Sequence, residues 1–360
     1  PPRSTLFPYT TLFRSGHRGR VFVCPRVVQG GFRRALGRYR GGGQVAYPIE
    51  PQGGLLSAPA WRRASPDDAA ALRRLAEPRE SYATGFSWRA VDAAGRLARM
   101  ERGKSGIFLL DAQGSAGDLA MAVLLTASGT AFPVLSGIFD DGGADAESAL
   151  KGLRASRTAR AYMPSACVGA SAHVAALERA MGWKPALDVE YDARSLAPGT
   201  WTAGRISGRT PGREPILGVA EYRRAAPTDL DALYPLAARY EKAEGMTDLH
   251  AFDPAACRAS QARSLDTQIV YLATSRGRVV ARAQTNARGW SRDQIGGIFV
   301  EPEFRGLGIG RGIVEALVSD IAARGRGVSL FVKKTNAVAR SLYLSLGFSI
   351  IRDYRVSYFA

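Results

Sequence analysis

Glycines alternate with larger residues near the C-terminal end of this chain, in a pattern that could bind phosphate. An apolar run from Ile295 to Val300 leads into Arg305-Gly306-Leu307-Gly308-Ile309-Gly310-Arg311, and the amphipathic segment 313–321 follows. This order predicts a strand, a glycine-rich turn and a helix. Bare N–H groups and the helix dipole favour an anion at a helix N-terminus, and glycine lets the ligand approach the backbone closely. The turn is therefore a candidate diphosphate site.

Two common nucleotide-binding patterns do not fit this turn. The dinucleotide fingerprint G-x-G-x-x-G fails because Arg311 or Ile313 stands where its last glycine should be, and the Gly-Lys-Ser/Thr of the P-loop is missing. What remains, Arg305-x-x-Gly308-x-Gly310, resembles the acyl-CoA pyrophosphate loop of the GNAT superfamily of N-acetyltransferases.

A second element strengthens this resemblance. After the strand-like run 328–332, Asn336 is followed by Tyr343 seven residues later and by Gly347-Phe348 four residues after that. The second CoA-contacting element of the superfamily has this form. A capping Asn, a core Tyr and a C-cap Gly would explain each residue singly, but not their joint spacing.

The resemblance implies an α/β fold, with a mixed, twisted sheet flanked by helices. Two parallel strands, here 294–300 and 328–332, would splay apart to admit the pantetheine arm, whose amides would pair with the freed backbone groups. Gly296-Gly297 fits a bulge that starts this divergence, although an ordinary bend is an alternative. The residues implied to bind acetyl-CoA, as cosubstrate, are Ile298, Phe299, Val300, Arg305, Gly306, Leu307, Gly308, Ile309, Gly310, Arg311, Asn336 and Tyr343.

Composition limits the class of protein. The chain has 360 residues, enough for two domains, with 46% hydrophobic and 22% charged residues. No apolar run approaches the roughly 20 residues that span a bilayer. Three cysteines lie far apart without a CxxC or CxxH spacing. We therefore expect a cytoplasmic protein without a metal site.

The net charge of +17 is concentrated near the N-terminus, because residues 1–49 hold nine arginines and no acid. Residues 5–15 look like a sequencing-library adapter translated in one frame, and such a segment is excluded from fold reasoning. We expect residues 1–45 to be a basic tail, partly artefactual and disordered. An arginine-rich arm could bind nucleic acid or a membrane surface, but the artefact is the simpler interpretation, so neither is an expected partner.

The rest of the chain repeats itself. The segment 61–72 resembles 222–233 at an offset of 161, 106–110 resembles 268–272 at 162, and 171–183 resembles 336–348 at 165. Both 61–72 and 222–233 predict a short strand followed by a helix that starts at a proline and is capped by an acid. A long and nearly constant offset indicates two tandem copies of one fold. We predict a first domain over 46–197, a linker over 198–220 and a second domain over 221–360; the resemblance to the superfamily is strong in the second domain and weak in the first.

The first copy lacks the residues that would bind a diphosphate. The offset of 165 places Asp140 at the position of Arg305, Asp145 at that of Gly310 and Glu178 at that of Tyr343. Carboxylates repel a diphosphate, and side chains at glycine positions block its approach. The first copy is expected to be degenerate and not to bind CoA.

The implied reaction is direct attack of a primary amine on the thioester of acetyl-CoA in a ternary complex. A backbone N–H near Phe299 or Val300 would polarise the carbonyl, and Tyr343 would protonate the departing sulfur as general acid. No carboxylate lies on the predicted strand from Gln294 to Val300; Asp293 precedes it. Glu301, on the exposed loop after it, is a possible base; a chain of waters or His250 are alternatives.

The acceptor cannot be identified from these residues. Candidates for its pocket, chosen by position alone, are Tyr240, His250 and Phe252, with Glu241, Glu244 and Trp290 beside them. The acceptor could be a small molecule or a peptide, and the protein a monomer with an internal pseudo-dimer or a homodimer. The competing hypothesis is a non-enzymatic acyl-CoA sensor whose first domain binds a partner.

Overall fold

The computed structural model describes residues 60–90, 105–113, 117–201, 219–245 and 252–360. The expected tail 1–45, most of the linker 198–220, and His250 lie outside these ranges. From residue 60 onwards, the described residues form one compact unit. No helix within them is both long and apolar enough to cross a membrane.

The described residues contain twelve strands and nine α-helices. The strands are β1 Arg62–Arg63, β2 Gly106–Asp111, β3 Leu119–Leu125, β4 Thr130–Leu135, β5 Ala166–Ala170, β6 Leu187–Leu196, β7 Val219–Arg224, β8 Val270–Ser275, β9 Arg278–Arg288, β10 Arg292–Val300, β11 Gly327–Lys333 and β12 Ser349–Tyr358. The helices are α1 Ala69–Ala76, α2 Glu80–Ala90, α3 Ala144–Lys151, α4 Arg157–Arg160, α5 Ser171–Met181, α6 Leu230–Tyr240, α7 Pro254–Thr267, α8 Ile309–Ala322 and α9 Ala337–Ser345.

Both copies begin with the same local structure, which the sequence repeat predicts. A short strand leads into a 3-10 turn that starts at a proline, and α1 or α6 follows. In the first copy the carboxylate of Asp68 accepts a hydrogen bond from the Ser65 N–H at 2.8 Å and pairs with Arg62. In the second copy Asp229 does the same with Ala226, at 2.8 Å, and with Arg223. The acid caps the helix start, as expected.

All twelve strands form one mixed sheet in the order β1-β2-β3-β4-β5-β12-β6-β11-β10-β9-β8-β7. Strands β1 to β5 and β7 to β11 run inward from the two edges in the same sequence, and the parallel pairs are β4–β5 and β10–β11. This arrangement is consistent with two copies of one fold, and the names first copy and second copy denote residues 60–196 and 219–360. The boundaries drawn between the copies from the sequence stay a prediction.

The last strand of each copy lies beside the other copy. Strand β6 comes from the first copy, but it pairs with β11 of the second from Tyr191–Lys333 to Leu196–Val328. Strand β12 ends the second copy and pairs with β5 of the first and with β6. The exchange gives both β5 and β11 a second neighbour, so neither is an edge strand.

Helices cover both faces of this sheet. On one face α1 and α2 pack over the first copy and the exchanged strands, and α6 packs over β8 and β10. On the other face α3 and α5 cover the first copy, while α8 and α9 cover the second. Burial of these apolar faces stabilises the fold.

Helix α2 of the first copy also contacts the second copy. The carboxylate of Glu80 is fully buried and accepts hydrogen bonds from the backbone N–H groups of Trp290, Ser291 and Arg292 at 2.6 to 3.0 Å. These residues form the turn between β9 and β10. A buried charge is tolerated here because several donors satisfy it, and it fixes the start of β10.

The strand exchange predicts which fragments can fold. A chain of residues 219–360 lacks β6, so β11 loses one neighbour and β12 has no partner. A chain of residues 187–360 keeps seven strands in the order β12-β6-β11-β10-β9-β8-β7. We expect cooperative thermal unfolding, followed by circular dichroism, only for the longer fragment. A monomeric 219–360 that melts as cooperatively as 187–360 would contradict this expectation.

Candidate functional site

The parallel strands β10 and β11 diverge halfway along their length. They pair from Arg292–Gly327 to Ile295–Leu330 and no further, although both strands continue. The register of β10 against β9 shifts between Gly296 and Phe299. Gly297 has φ +59°, a conformation that residues with a side chain rarely adopt. The predicted splay, and the bulge that starts it, are both confirmed.

A cavity of about 540 Å³ opens at this divergence. Its wall runs from the glycine turn to the two separated strands and on to α9. Of the residues expected to bind acetyl-CoA, those on the wall are Ile298, Phe299, Val300, Arg305, Gly306, Gly310, Asn336 and Tyr343. Other residues of the expected set, namely Leu307, Gly308, Ile309 and Arg311, lie in the turn and the first turn of α8 without lining the cavity.

The glycine turn leads directly into α8. Gly308 is the N-cap residue, with φ +80°, and the helix begins at Ile309. Only glycine adopts this left-handed conformation without strain, so Gly308 determines where the helix begins. The N–H groups of the first helical turn have no partner within the helix. They form the open end of a helix dipole beside the cavity.

Arg305 is exposed beside this turn. Its Nε donates to the carbonyl oxygen of Val300 at 3.0 Å, and its Cζ lies 5.5 Å from the centre of the Phe299 ring. It forms no ion pair with a carboxylate of the described residues. Arg311, by contrast, is held by Glu315 and by Ser345. Arg305 is thus the arginine of the turn that remains available to an anion.

Helix α9 forms the opposite wall. The side-chain oxygen of Asn336 caps it by accepting a hydrogen bond from the Ala339 N–H at 3.0 Å. Tyr343 is 7% exposed and packs edge-on against Phe348, with the ring centres 5.9 Å apart. Asn336 therefore caps a helix and Tyr343 packs in the core. Both residues also line the cavity.

Glu301 differs from its expected environment. The sequence places it on an exposed loop, but its side chain is buried, with 1% of the residue exposed. Its carboxylate accepts a hydrogen bond from Arg239 and, at 3.4 Å, one from Arg278. It does not line the cavity. Strand β10 ends immediately before Glu301, so the carboxylate is turned toward the arginines instead of solvent, and this geometry does not support a role as base.

The expected acceptor residues separate in the structure. Tyr240, the last residue of α6, lines the cavity. Phe252 does not line it; its ring lies 4.6 Å from the Nζ of Lys242. Trp290 lies in the turn held by Glu80.

Sequence reasoning missed the aromatic wall of the cavity. Tyr191 of β6 and Phe331 of β11 line the cavity, and Tyr354 of β12 stacks on Phe331 with ring centres 3.7 Å apart. Tyr191 belongs to the first copy and reaches this site only because β6 is exchanged. No local pattern in the sequence signals such an exchange.

The corresponding turn of the first copy is occupied by its own side chains. The carboxylate of Asp140, which stands where Arg305 would be, pairs with Arg352 of β12 at 2.6 Å and with His173 at 3.2 Å. The guanidinium of Arg352 also lies over the ring of Tyr82, at 4.9 Å. These interactions fix the turn to the second copy's last strand.

Strands β4 and β5 also diverge, since their pairing ends at Ala131–Cys167. Pro133 lies on β4 beyond that point and has no N–H to offer a ligand. The Oδ1 of Asp141 accepts a hydrogen bond from the Gly143 N–H at the start of α3, at 2.9 Å. The helix N-terminus that would face a diphosphate therefore already has a carboxylate beside it.

Part of this chain resembles known proteins. Residues 278–357 match the model of a family described as FR47-like protein. Over 91 residues the chain is 34% identical to serotonin N-acetyltransferase 2, chloroplastic, of Oryza sativa subsp. japonica, a match that covers 24% of this chain and 44% of that protein. The chain thus spans less than half the length of this relative.

Solved structures extend the likeness to most of the chain. A GCN5-related N-acetyltransferase from Sphaerobacter thermophilus is 17% identical with a TM-score of 0.52, over 84% of this chain and 96% of the other. A Drosophila protein solved by X-ray crystallography is 12% identical with a TM-score of 0.54, over 83% and 98%. At these identities the likeness shows the fold. The α/β fold and the resemblance to the GNAT superfamily are confirmed.

The Asp140 cluster predicts a pH dependence of stability. The hydrogen bond from His173, with further help from the Arg352 guanidinium and against the effect of burial, holds the pKa of Asp140 well below its ordinary value of 3.8. A depressed pKa in the folded state stabilises the protein above the unfolded-state pKa, and this stabilisation is lost as the pH falls further. Urea unfolding of wild type and Asp140→Asn should therefore differ most above about pH 5, and the difference should shrink progressively as the pH falls below about 4.

Asp141→Asn is the matched control, because Asp141 forms no ion pair with the described residues. Its difference from wild type should change little over the same pH range. A difference for Asp140→Asn that stays constant down to pH 3 would contradict the interpretation.

Proposed function

We propose that this protein of the GNAT fold is an N-acetyltransferase, which transfers the acetyl group of acetyl-CoA to a primary amine in a ternary complex. The chemistry takes place in the second copy. The observation that carries the proposal is the divergence of β10 and β11 at a cavity that also adjoins the glycine turn and Tyr343. One cavity thus offers a phosphate-binding turn, unpaired strand edges and a proton donor.

Acetyl-CoA would use each of these features. The N–H groups of residues 306–311 and the guanidinium of Arg305 would bind the diphosphate. The separated edges of β10 and β11 would pair with the pantetheine amides, because these backbone groups need partners when water is excluded. No metal ion takes part in this proposal.

The thioester carbonyl would be polarised by the N–H of Val300. Glu301, the next residue, donates its own N–H to Val280 of β9 at 2.9 Å. Successive N–H groups of a strand point to opposite sides, so that of Val300 points away from β9 and into the gap. A donor fixed at this point stabilises the negative charge that develops on the thioester oxygen.

The neutral amine would attack the thioester carbon, and the C–S bond would then break. Tyr343 would give its phenolic proton to the departing CoA sulfur as general acid. Because two arginines hold Glu301 away from the cavity, the amine would lose its proton to water in the cavity, and no side chain would act as base.

A thiol-release assay tests this proposal. The purified protein is incubated with acetyl-CoA and a panel of amines, amino acids and peptides, and free CoA is measured. Release that depends on an amine supports the transferase. Stoichiometric binding of acetyl-CoA without release from any acceptor would instead favour the non-enzymatic sensor.

We expect Tyr343→Phe to lower kcat on the order of tenfold to thousandfold, because the departing thiolate loses its proton donor. Steady-state kinetics with the best acceptor measures this effect. Tyr162→Phe is the control: it removes a hydroxyl that donates to the Thr126 carbonyl in the first copy. An unchanged kcat for Tyr343→Phe would remove this residue from the chemistry.

We expect Arg305→Glu to abolish acetyl-CoA binding, since it places a carboxylate beside the diphosphate and the first copy has no competent turn. Isothermal titration calorimetry measures the binding. Arg324→Glu, at the other end of α8, reverses a charge of the same kind away from the cavity. Stoichiometric binding that survives in Arg305→Glu would instead indicate a functional site in the first copy.

A further inference from the structure

Three polar side chains form a buried row on β9, directly behind the bulge of β10. Arg282, Gln284 and Asn286 alternate along the strand and are 4%, 4% and 7% exposed. Ala281, just before this row, and Ala283, within it, pack on the opposite face, in the core under α8. Three polar residues in succession on a buried face are costly unless they have partners.

Arg282 is poorly satisfied within the protein. Its guanidinium donates to the side-chain oxygen of Gln284, but its Nε has no hydrogen-bond partner. No described carboxylate lies within ion-pair distance of it. Burial lowers the pKa of Arg282 to about 10, yet the side chain stays charged at neutral pH. A buried charge of this kind is normally paired.

The charge of Glu241 acts on this guanidinium by raising the pKa of Arg282, against the larger lowering by burial. However, the carboxylate of Glu241 has another partner. Burial, together with a hydrogen bond to Glu241, raises the pKa of the Cys257 thiol to about 12. The carboxylate of Glu241 is therefore engaged with Cys257, while Arg282 retains an unused donor. Among the residues that the structure describes, the positive charge has no counter-ion within ion-pair distance.

The bulge brings this charge to the cavity. Gly297 lines the cavity, and a Cβ at this position would lie 3.2 Å from the Nη2 of Arg282 and 3.1 Å from Gln284. Arg282 itself does not line the cavity, but Gly297, the wall residue that lies against its guanidinium, has no side chain. Tyr240, also on the wall, has its ring centre 5.9 Å from the Cζ of Arg282.

The position also fits the reaction. Arg282 is the register partner of Phe299, next to the Val300 N–H that would hold the thioester carbonyl. Paired strands lie about 4.8 Å apart. An anion bound to Arg282 and an amine at the thioester would therefore be close enough to belong to one small molecule. A guanidinium recognises a carboxylate through two parallel hydrogen bonds.

We propose that Arg282 binds the carboxylate of the acceptor, which is therefore a small amino acid-like molecule carrying both a primary amine and a carboxylate. This inference rests on the proposed N-acetyltransferase function and adds the substrate class. The acceptor carboxylate supplies the counter-ion that the described residues lack.

The test compares acceptors that differ only in the carboxylate. Phenylalanine is compared with phenethylamine, tyrosine with tyramine and lysine with cadaverine, each with acetyl-CoA and the full-length protein. We expect kcat/KM to be higher for the carboxylate member of the preferred pair by roughly 30-fold or more, which is the low end of the effect of leaving a buried charge unpaired. Equal or better acetylation of the amines without a carboxylate would overturn the proposal without using any variant.

The Arg282→Gln variant should lose this preference, because its kcat/KM should fall only for the acceptors that carry a carboxylate. Its acetyl-CoA affinity and melting curve check that the fold is retained, and Arg282→Lys should restore part of the preference because it keeps the charge. An equal loss for both members of each pair would mean that Arg282 is structural.

Calorimetry of the CoA-loaded protein separates the two levels of the proposal. Carboxylate ligands that bind in an Arg282-dependent manner, without turnover of any amine, would refute the transferase and leave the anion site standing. Amine-dependent CoA release together with no carboxylate preference would keep the transferase and refute the role of Arg282.

Discussion

Strand β11 pairs with β6 along almost its whole length but with β10 along only about half of it. The candidate site depends on this difference. The pairing of β11 with β6 runs from Val328 to Lys333, whereas its pairing with β10 ends at Leu330. If β11 were an edge strand, separating it from β10 would leave half of it unpaired on both sides. Because β6 holds it, β10 and β11 can diverge and open a cavity while the sheet stays continuous. The site of the second copy therefore relies on a strand that the first copy supplies.

The turns at corresponding places in the two halves of the sheet differ in their contacts. In the second copy the turn after the diverging strand is open, and Arg305 has no acidic partner among the described residues. In the first copy Asp140 occupies the corresponding place and pairs with Arg352 and His173. A carboxylate that repels a diphosphate has thus become an anchor for the last strand of the second copy. Glu80 forms a similar anchor to the turn before β10. Through these two contacts the first copy holds β12 and the start of β10 in place, and neither contact needs a cofactor.

Buried charges distinguish the supporting contacts from the binding surface. The buried carboxylates of Glu80 and Glu301, and the partly exposed one of Asp140, each accept hydrogen bonds from several donors of the protein. Groups that only maintain structure usually do so. Arg282 does not, because Nε has no partner and Glu241 is engaged with Cys257. A charge that is left incompletely satisfied next to a cavity indicates a ligand more strongly than a satisfied one does. The same reasoning counts against Glu301 as the base, although its place in the sequence favoured it.

The sequence by itself determined the local features of this protein. The glycine pattern predicted the turn before α8, Asn336 predicted the start of α9, the pair Gly296-Gly297 predicted the bulge, and the repeat predicted the capped helices that begin each copy. All of these depend on contacts between residues close together in the chain, so residue type and spacing are sufficient. Tertiary structure alone decided the exchange of β6 and β12, the burial of Glu301 and the arrival of Tyr191 at the cavity. The strand exchange and the position of Tyr191 join residues more than a hundred positions apart, and the arginines that hold Glu301 lie 62 and 23 positions before it. Strand pairing through backbone hydrogen bonds leaves no mark in the side chains that would identify the partner.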